Sequence, residues 1–85
     1  MTTHARPTVA TVTELLVTAF REALDLPECD EHSDFYESGG DSLTAFRITA
    51  HLQEALDIEV PVALLFAYPT PAELAAVVEA DFTGA

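Results

Sequence analysis

The sequence predicts an all-α fold: a small four-helix bundle of three longer helices and a short third helix, with a long loop between the first two. Three observations carry this. Apolar residues recur at helical spacing in two long stretches, 9–24 and 42–56. Helix-start chemistry stands at Asp41-Ser42, Val60-Pro61 and Thr70-Pro71. Hydrophobic residues make up 49% of 85 residues, which argues for a folded domain despite the charge. A chain of this size buries roughly 60–65% of its unfolded surface, so the core is modest. Residues 1–85 read as a single domain, with a loose leader over 1–7, the bundle over 8–82 and a frayed end over 83–85.

The first helix starts near Thr8. Val9, Val12, Leu16, Phe20 and Ala23 or Leu24 form one apolar stripe. Pro27 ends the helix at or before Leu26, because the residue before a proline disfavours helical geometry. The connection 25–41 holds seven acids, Asp25, Glu28, Asp30, Glu31, Asp34, Glu37 and Asp41. Leu26, Phe35 and Tyr36 are its expected anchors to the core. A loop of this length in a small domain is usually functional or mobile. Asp30, His32, Asp34 and Asp41 fall on the frame of an EF-hand calcium loop. That frame needs glycine where Phe35 stands and normally glutamate where Asp41 stands, so a calcium site is rejected.

The second helix runs from Ser42 to about Leu56, with Ala45, Ile48, Leu52, Ala55 and Leu56 on its core stripe. Leu43, Phe46 and Ala50 project to the other side, among Arg47, Gln53 and Glu54. Apolar side chains off the core stripe read as a docking patch. The alternative for Phe46 is packing under the long loop or against the third helix. Pro61 fits the first position of the short third helix, which turns Val62, Leu65 and Phe66 inward. Leu64, Ala67 and Tyr68 then lie away from the core and extend the docking surface. In the fourth helix Thr70 is the N-cap, Pro71 the first helical residue and Glu73 the partner in a capping box. Leu74, Val77, Val78 and Phe82 supply its apolar side.

The chain is organised around Gly39-Gly40-Asp41-Ser42-Leu43. Two glycines permit a sharp turn. Asp41 is a strong N-cap, which sets Ser42 at the first helical position. Free amides and the helix dipole favour negative charge there, so a phosphodiester on Ser42 sits in a favourable field. The glycines leave room for a modifying enzyme to approach. Taken alone, a Gly-Asp-Ser triplet is more often an ordinary helix start than a modification site.

The longer context is more specific. Asp34-Phe35-Tyr36-Glu37 leading into Gly39-Gly40-Asp41-Ser42-Leu43 resembles the D-x-F-F-x-x-G-G-[DH]-S-[LI] core of peptidyl carrier proteins, the thiolation domains of nonribosomal peptide synthesis. Ser38 stands where that family usually has leucine. Val60-Pro61-Val62-Ala63-Leu64-Leu65-Phe66-Ala67-Tyr68-Pro69-Thr70 resembles a second family segment, [IV]-P-[LV]-x-x-[LI]-F-x-x-P-T. The resemblance covers about residues 9–80. It implies a bundle of acyl-carrier type and a 4'-phosphopantetheine arm on Ser42, presented by Asp41, Gly40 and Gly39. It also implies a carrier that catalyses nothing itself. A phosphopantetheinyl transferase would install the arm and an adenylation enzyme would load an amino acid as a thioester. Condensation, tailoring or thioesterase enzymes would then act on it. Leu43 and Phe46 are implied as partner contacts, with Leu64 and Tyr68 beside them. The paired glycines favour a peptidyl carrier over an acyl carrier of polyketide or fatty-acid type. A chain that begins at methionine and ends just after the last helix is expected to be a free-standing monomer, although an excised domain would look identical.

Composition narrows the partners. The formal net charge is −12, with 15 acids against three arginines, Arg6, Arg21 and Arg47, and no lysine. Such a field repels nucleic acid and anionic membranes and orients proteins with basic patches. No apolar run spans a bilayer and the N-terminus lacks a signal peptide's apolar centre, so a cytoplasmic location is expected. Cys29 is the single cysteine, in an acidic loop, with no role assigned. His4, His32 and His51 lack metal-ligand spacing, so no metal is expected. Two rivals come from other classes. One is an unmodified acidic helical adaptor. The other is a GDSL-type esterase, which lacks here the downstream D-x-x-H base and an α/β length.

Overall fold

The computed structural model describes residues 9–80, with side chains from Thr11 onward. It is all-helical: α1 Val9–Leu24, α2 Ser42–Leu56, α3 Val62–Ala67 and α4 Pro71–Val78. Helix α1 packs against α2 and α4, and α3 packs against α2. The expected start at Thr8, the leader 1–7, Phe82 and the end 83–85 lie outside the described residues.

Val12, Leu16 and Phe20 recur at i, i+4 and i+8 on α1 and are fully buried, with Ala19 beside them. Helix α1 ends at Leu24, ahead of Pro27 as expected, and Asp25 turns the chain out of it. It adopts a left-handed conformation (φ 57°), and Leu26 N–H reaches back to Arg21 O at 3.1 Å, a Schellman closure.

The loop is pinned at several points. Phe35 N–H donates to Pro69 O at 2.8 Å, Ala72 N–H to Glu31 O at 3.0 Å, and Arg21 Nε–H to Cys29 O at 2.8 Å. Phe35 is fully buried and Leu26 packs against the core. Several acids cap turns. Asp34 Oδ1 accepts from the amides of Tyr36 and Glu37, and Asp30 Oδ1 from that of His32. Cys29, given no role by the sequence, is a member of the core at 3% exposure.

Helix α2 buries Ala45, Ile48, Thr49 and Leu52. One expectation changes, and one buried residue was not foreseen. Ala55 is exposed, because it falls at the rim of the stripe on the last turn. Thr49 is buried, because its hydroxyl finds the carbonyls of Ala45 and Phe46, each at 3.2 Å. Asp57 closes α2 in a left-handed conformation, and Gln53 Oε1 accepts from Val60 N–H at 2.8 Å.

In α3 the expected phase is corrected. Leu65 is buried, but Phe66 is exposed while Leu64 packs against the core. Six residues make under two turns, too few for periodicity to fix which side faces inward. Phe66 instead lies against the rings of Phe35 and Tyr36, with centroids 6.1 and 6.4 Å away. Pro61 is the residue before the helix rather than its first. At α4, Thr70 Oγ1 accepts from Glu73 N–H at 3.2 Å. The Glu73 carboxylate bonds the Thr70 hydroxyl, at 3.2 Å, and not the Thr70 amide, so only half of the expected box forms.

Candidate functional site

The two glycines before α2 do different things. Gly39 sits at φ +87°, where side chains are strained, and a Cβ there would meet nothing within 4 Å. Its N–H donates to Tyr36 O at 3.1 Å, closing the turn. Gly40 has no such backbone demand. A Cβ on Gly40 would lie 2.6 Å from Phe35 Cδ1 and closer still to Cε1 and Cζ. Its bareness serves an inward contact with Phe35, and the open space beside the turn is at Gly39.

Asp41 is the N-cap of α2 (φ −138°, ψ −174°). Its Oδ1 accepts from Thr44 N–H at 3.0 Å, and its own N–H donates to Thr44 Oγ1 at 2.8 Å. This is a reciprocal capping box, with threonine where glutamate or glutamine is usual. The Thr44 half was not read from the sequence. The amide bond from Thr44, followed by the Thr44 hydroxyl, holds the Asp41 carboxyl below its ordinary 3.8. A carboxyl with a lowered folded value contributes stability above its unfolded value and loses it as pH falls through the folded one. The Thr44 amide resonance should therefore titrate with a midpoint below 3.8, while the remaining α2 amides move less. In Asp41→Asn, which caps without ionising, that titration should vanish. A midpoint at or above the ordinary value would contradict the geometry.

Ser42 is the first residue of α2 and is exposed. No described residue bonds its hydroxyl, and the Asp41 carboxylate beside it is engaged by Thr44. Leu43 and Phe46 are 59% and 60% exposed, so Phe46 folds neither under the loop nor against α3. Tyr68 is exposed, whereas Leu64 is half-buried and offers only part of its surface. Tyr36 and Phe66 join the exposed aromatic set, stacked on each other with Tyr36 O–H donating to Phe66 O at 2.9 Å. The sequence reading placed neither in the patch. The exposed large hydrophobic side chains among the described residues thus all lie in the loop end before Ser42, the first turns of α2, or in and just after α3.

Comparison with known proteins shows the family. Residues 14–78 match the family described as the phosphopantetheine attachment site. The chain is similar to the nonribosomal peptide synthetase ecdA of Aspergillus rugulosus, 46% identical over 66 residues, which is 75% of this chain and 1% of that protein. It is 38% identical over 60 residues to tyrocidine synthase 3 of Brevibacillus parabrevis, covering 71% of this chain and 1% of that protein. The chain therefore spans about one hundredth of the length of these relatives. Among solved structures it resembles BlmI, a type-II acyl-carrier protein from Streptomyces verticillus involved in bleomycin biosynthesis. That match has a TM-score of 0.80 at 26% identity, over 85% of this chain and 87% of that one.

Proposed function

Because the chain belongs to the family of phosphopantetheine attachment domains, we propose that Ser42 is the residue that takes the 4'-phosphopantetheine arm, with Asp41, Gly40 and Gly39 presenting it. The chain is a phosphopantetheine-dependent carrier of the peptidyl type, holding an acyl or peptidyl group as a thioester. The observation that supports Ser42 is its hydroxyl: exposed, bonded by no described residue and at the head of a capped helix.

The residues fit the group. Gly39 leaves open space beside the turn, and the dipole at the start of α2 favours the negative charge of a phosphodiester, although the Thr44 amide is already taken by Asp41 Oδ1. The arm supplies a thiol on a long flexible tether. In loading, Ser42 Oγ forms the new bond to phosphorus as the pyrophosphate of coenzyme A is cleaved and its nucleotide half leaves. Asp41 Oδ1 is already bonded to the Thr44 amide, and the transferase supplies the base that takes the hydroxyl proton. The carrier is thus a substrate of its partners rather than a catalyst. Those partners are a phosphopantetheinyl transferase, an adenylation enzyme, and condensation, tailoring or thioesterase enzymes. Leu43, Phe46 and Tyr68 form the contact surface, with the exposed part of Leu64. No described helix is long and apolar enough to cross a membrane, and a cytoplasmic place of action as a monomer completes the reading.

The test is the intact mass of the protein after incubation with coenzyme A, magnesium and a broad-specificity phosphopantetheinyl transferase, followed by peptide mapping. The expected result is one phosphopantetheinyl group, on the peptide that contains Ser42. Folded protein that gains no group from several such transferases, or gains it elsewhere, overturns the assignment.

A further inference from the structure

Thr44 is joined to Asp41 across the backbone of Ser42 by every hydrogen-bonding atom it can spare. The Asp41 amide donates to its Oγ1 at 2.8 Å, and its own amide donates to Asp41 Oδ1 at 3.0 Å. The single hydroxyl hydrogen has Asp41 O at 2.9 Å and Asp41 Oδ1 at 3.1 Å in range and serves one of them. These bonds close a four-residue ring in which Ser42 and Leu43 contribute no side-chain atom.

We infer that Thr44 is the positioning residue for loading, its hydroxyl fixing the turn that aims Ser42 Oγ. The inference rests on Ser42 being the attachment residue. Its physical basis is that no described side chain holds the serine hydroxyl, while backbone bonds (Gly40 N–H to Phe35 O and Ala45 N–H to Asp41 O, each 2.9 Å) flank the turn and leave its side-chain tie to Asp41 and Thr44. The serine hydroxyl bonds no described group, so only the backbone sets its direction. Ser42 stands at the end of the helix, where amides lack intrahelical partners and the turn frays unless side chains tie it. The Asp41–Thr44 box is the side-chain tie there, and half of it is the Thr44 hydroxyl. Asp41 alone would still cap the Thr44 amide, but its own amide would lose its acceptor. A modifying enzyme would then meet a serine at the tip of a loose turn, and correct placement would have to be recovered at each encounter.

A positioning role separates from a docking role in kinetics. Leu43 and Phe46, the exposed apolar contacts, are untouched by a change at Thr44. The experiment is the initial rate of phosphopantetheine transfer to Ser42 at varied carrier concentration, read by intact mass. It compares wild type with Thr44→Val, Thr44→Ala and Thr44→Ser. Thr44→Val keeps the branched shape and loses the hydroxyl, and should lower kcat about tenfold, since small misplacements of a reacting group carry large rate effects. KM for the carrier should stay within about twofold, because uniform binding is retained. Thr44→Ala, a stronger helix former, repeats the deletion and should show the same loss, and thermal melting should show each variant folded. Thr44→Ser restores the hydroxyl and should restore the rate. A Thr44→Val protein loaded at the wild-type kcat overturns the inference. So does a loss confined to KM, or a Thr44→Ser protein no better than Thr44→Val. Wild-type protein that gains no group on Ser42 is a different failure, that of the attachment reading itself.

Discussion

Gly40→Ala should destabilise the fold by about 1–3 kcal/mol, the range for forcing extra carbon into a packed interior. The cause is not backbone strain, since Gly40 is outside the positive-φ set. The new methyl would collide with Phe35, which is fully buried and boxed in by other rings. Phe20 lies edge-on at 6.2 Å, Tyr36 at 5.6 Å and Phe66 at 6.1 Å between centroids, so the ring cannot shift without displacing one of them. Removing the obstacle should remove the penalty. Phe35→Ala alone should cost about 3–5 kcal/mol through lost burial and a cavity. Adding Gly40→Ala to Phe35→Ala should cost far less than it does in wild type, a coupling that a double-mutant cycle measures directly. Gly39→Ala should behave differently. Its cost is the left-handed backbone, about 1 kcal/mol, and Phe35→Ala should leave that cost unchanged. Denaturant melts of the single and double variants decide the matter. Additive costs for Gly40 and Phe35 would show that the contact does not govern the turn.

That result would also explain which parts of the molecule a sequence makes legible. Phe35 could be read as an anchor because an aromatic ring in an acidic loop has one good place to go. Why Gly40 is bare could not be read, because the reason is a ring five residues back that only the folded turn brings alongside. Long helices disclosed their buried side. Val12, Leu16 and Phe20, or Ile48 and Leu52, repeat over enough turns to define a direction. The short α3 did not, and Leu64 and Phe66 exchanged places. Residue type was silent where a local bond or a neighbour outweighed polarity. Thr49 is buried because two backbone carbonyls stand in reach of its hydroxyl, and Cys29 is buried in a run of acids that point outward. At the site, Asp41 and Ser42 announced themselves by composition, whereas Thr44 did not, because the usual partner in a capping box is glutamate or glutamine.

Ser42→Ala should abolish phosphopantetheine transfer outright and leave the fold in place. Ser42 is exposed, its hydroxyl bonds nothing described, and the cap of α2 is made by Asp41 and Thr44 on either side of it. A surface change of this kind stays within about 0.5 kcal/mol, so the melting curve should not move measurably. Loss of loading with an unchanged melt ties the chemistry to one oxygen atom. Phe46→Ala supplies the complementary case. It removes the more exposed of two apolar side chains in the first turns of α2 while keeping the serine. It should raise KM for the carrier with kcat little changed, the signature of lost binding rather than lost chemistry. The pair also separates the carrier from an unmodified acidic adaptor. An adaptor works through its surface, so it would survive Ser42→Ala and fail with Phe46→Ala. A carrier fails completely with the first change and only in proportion to weakened docking with the second. Biological activity retained by Ser42→Ala would overturn the carrier reading, because no thioester can form on a chain that has nowhere to hold the arm.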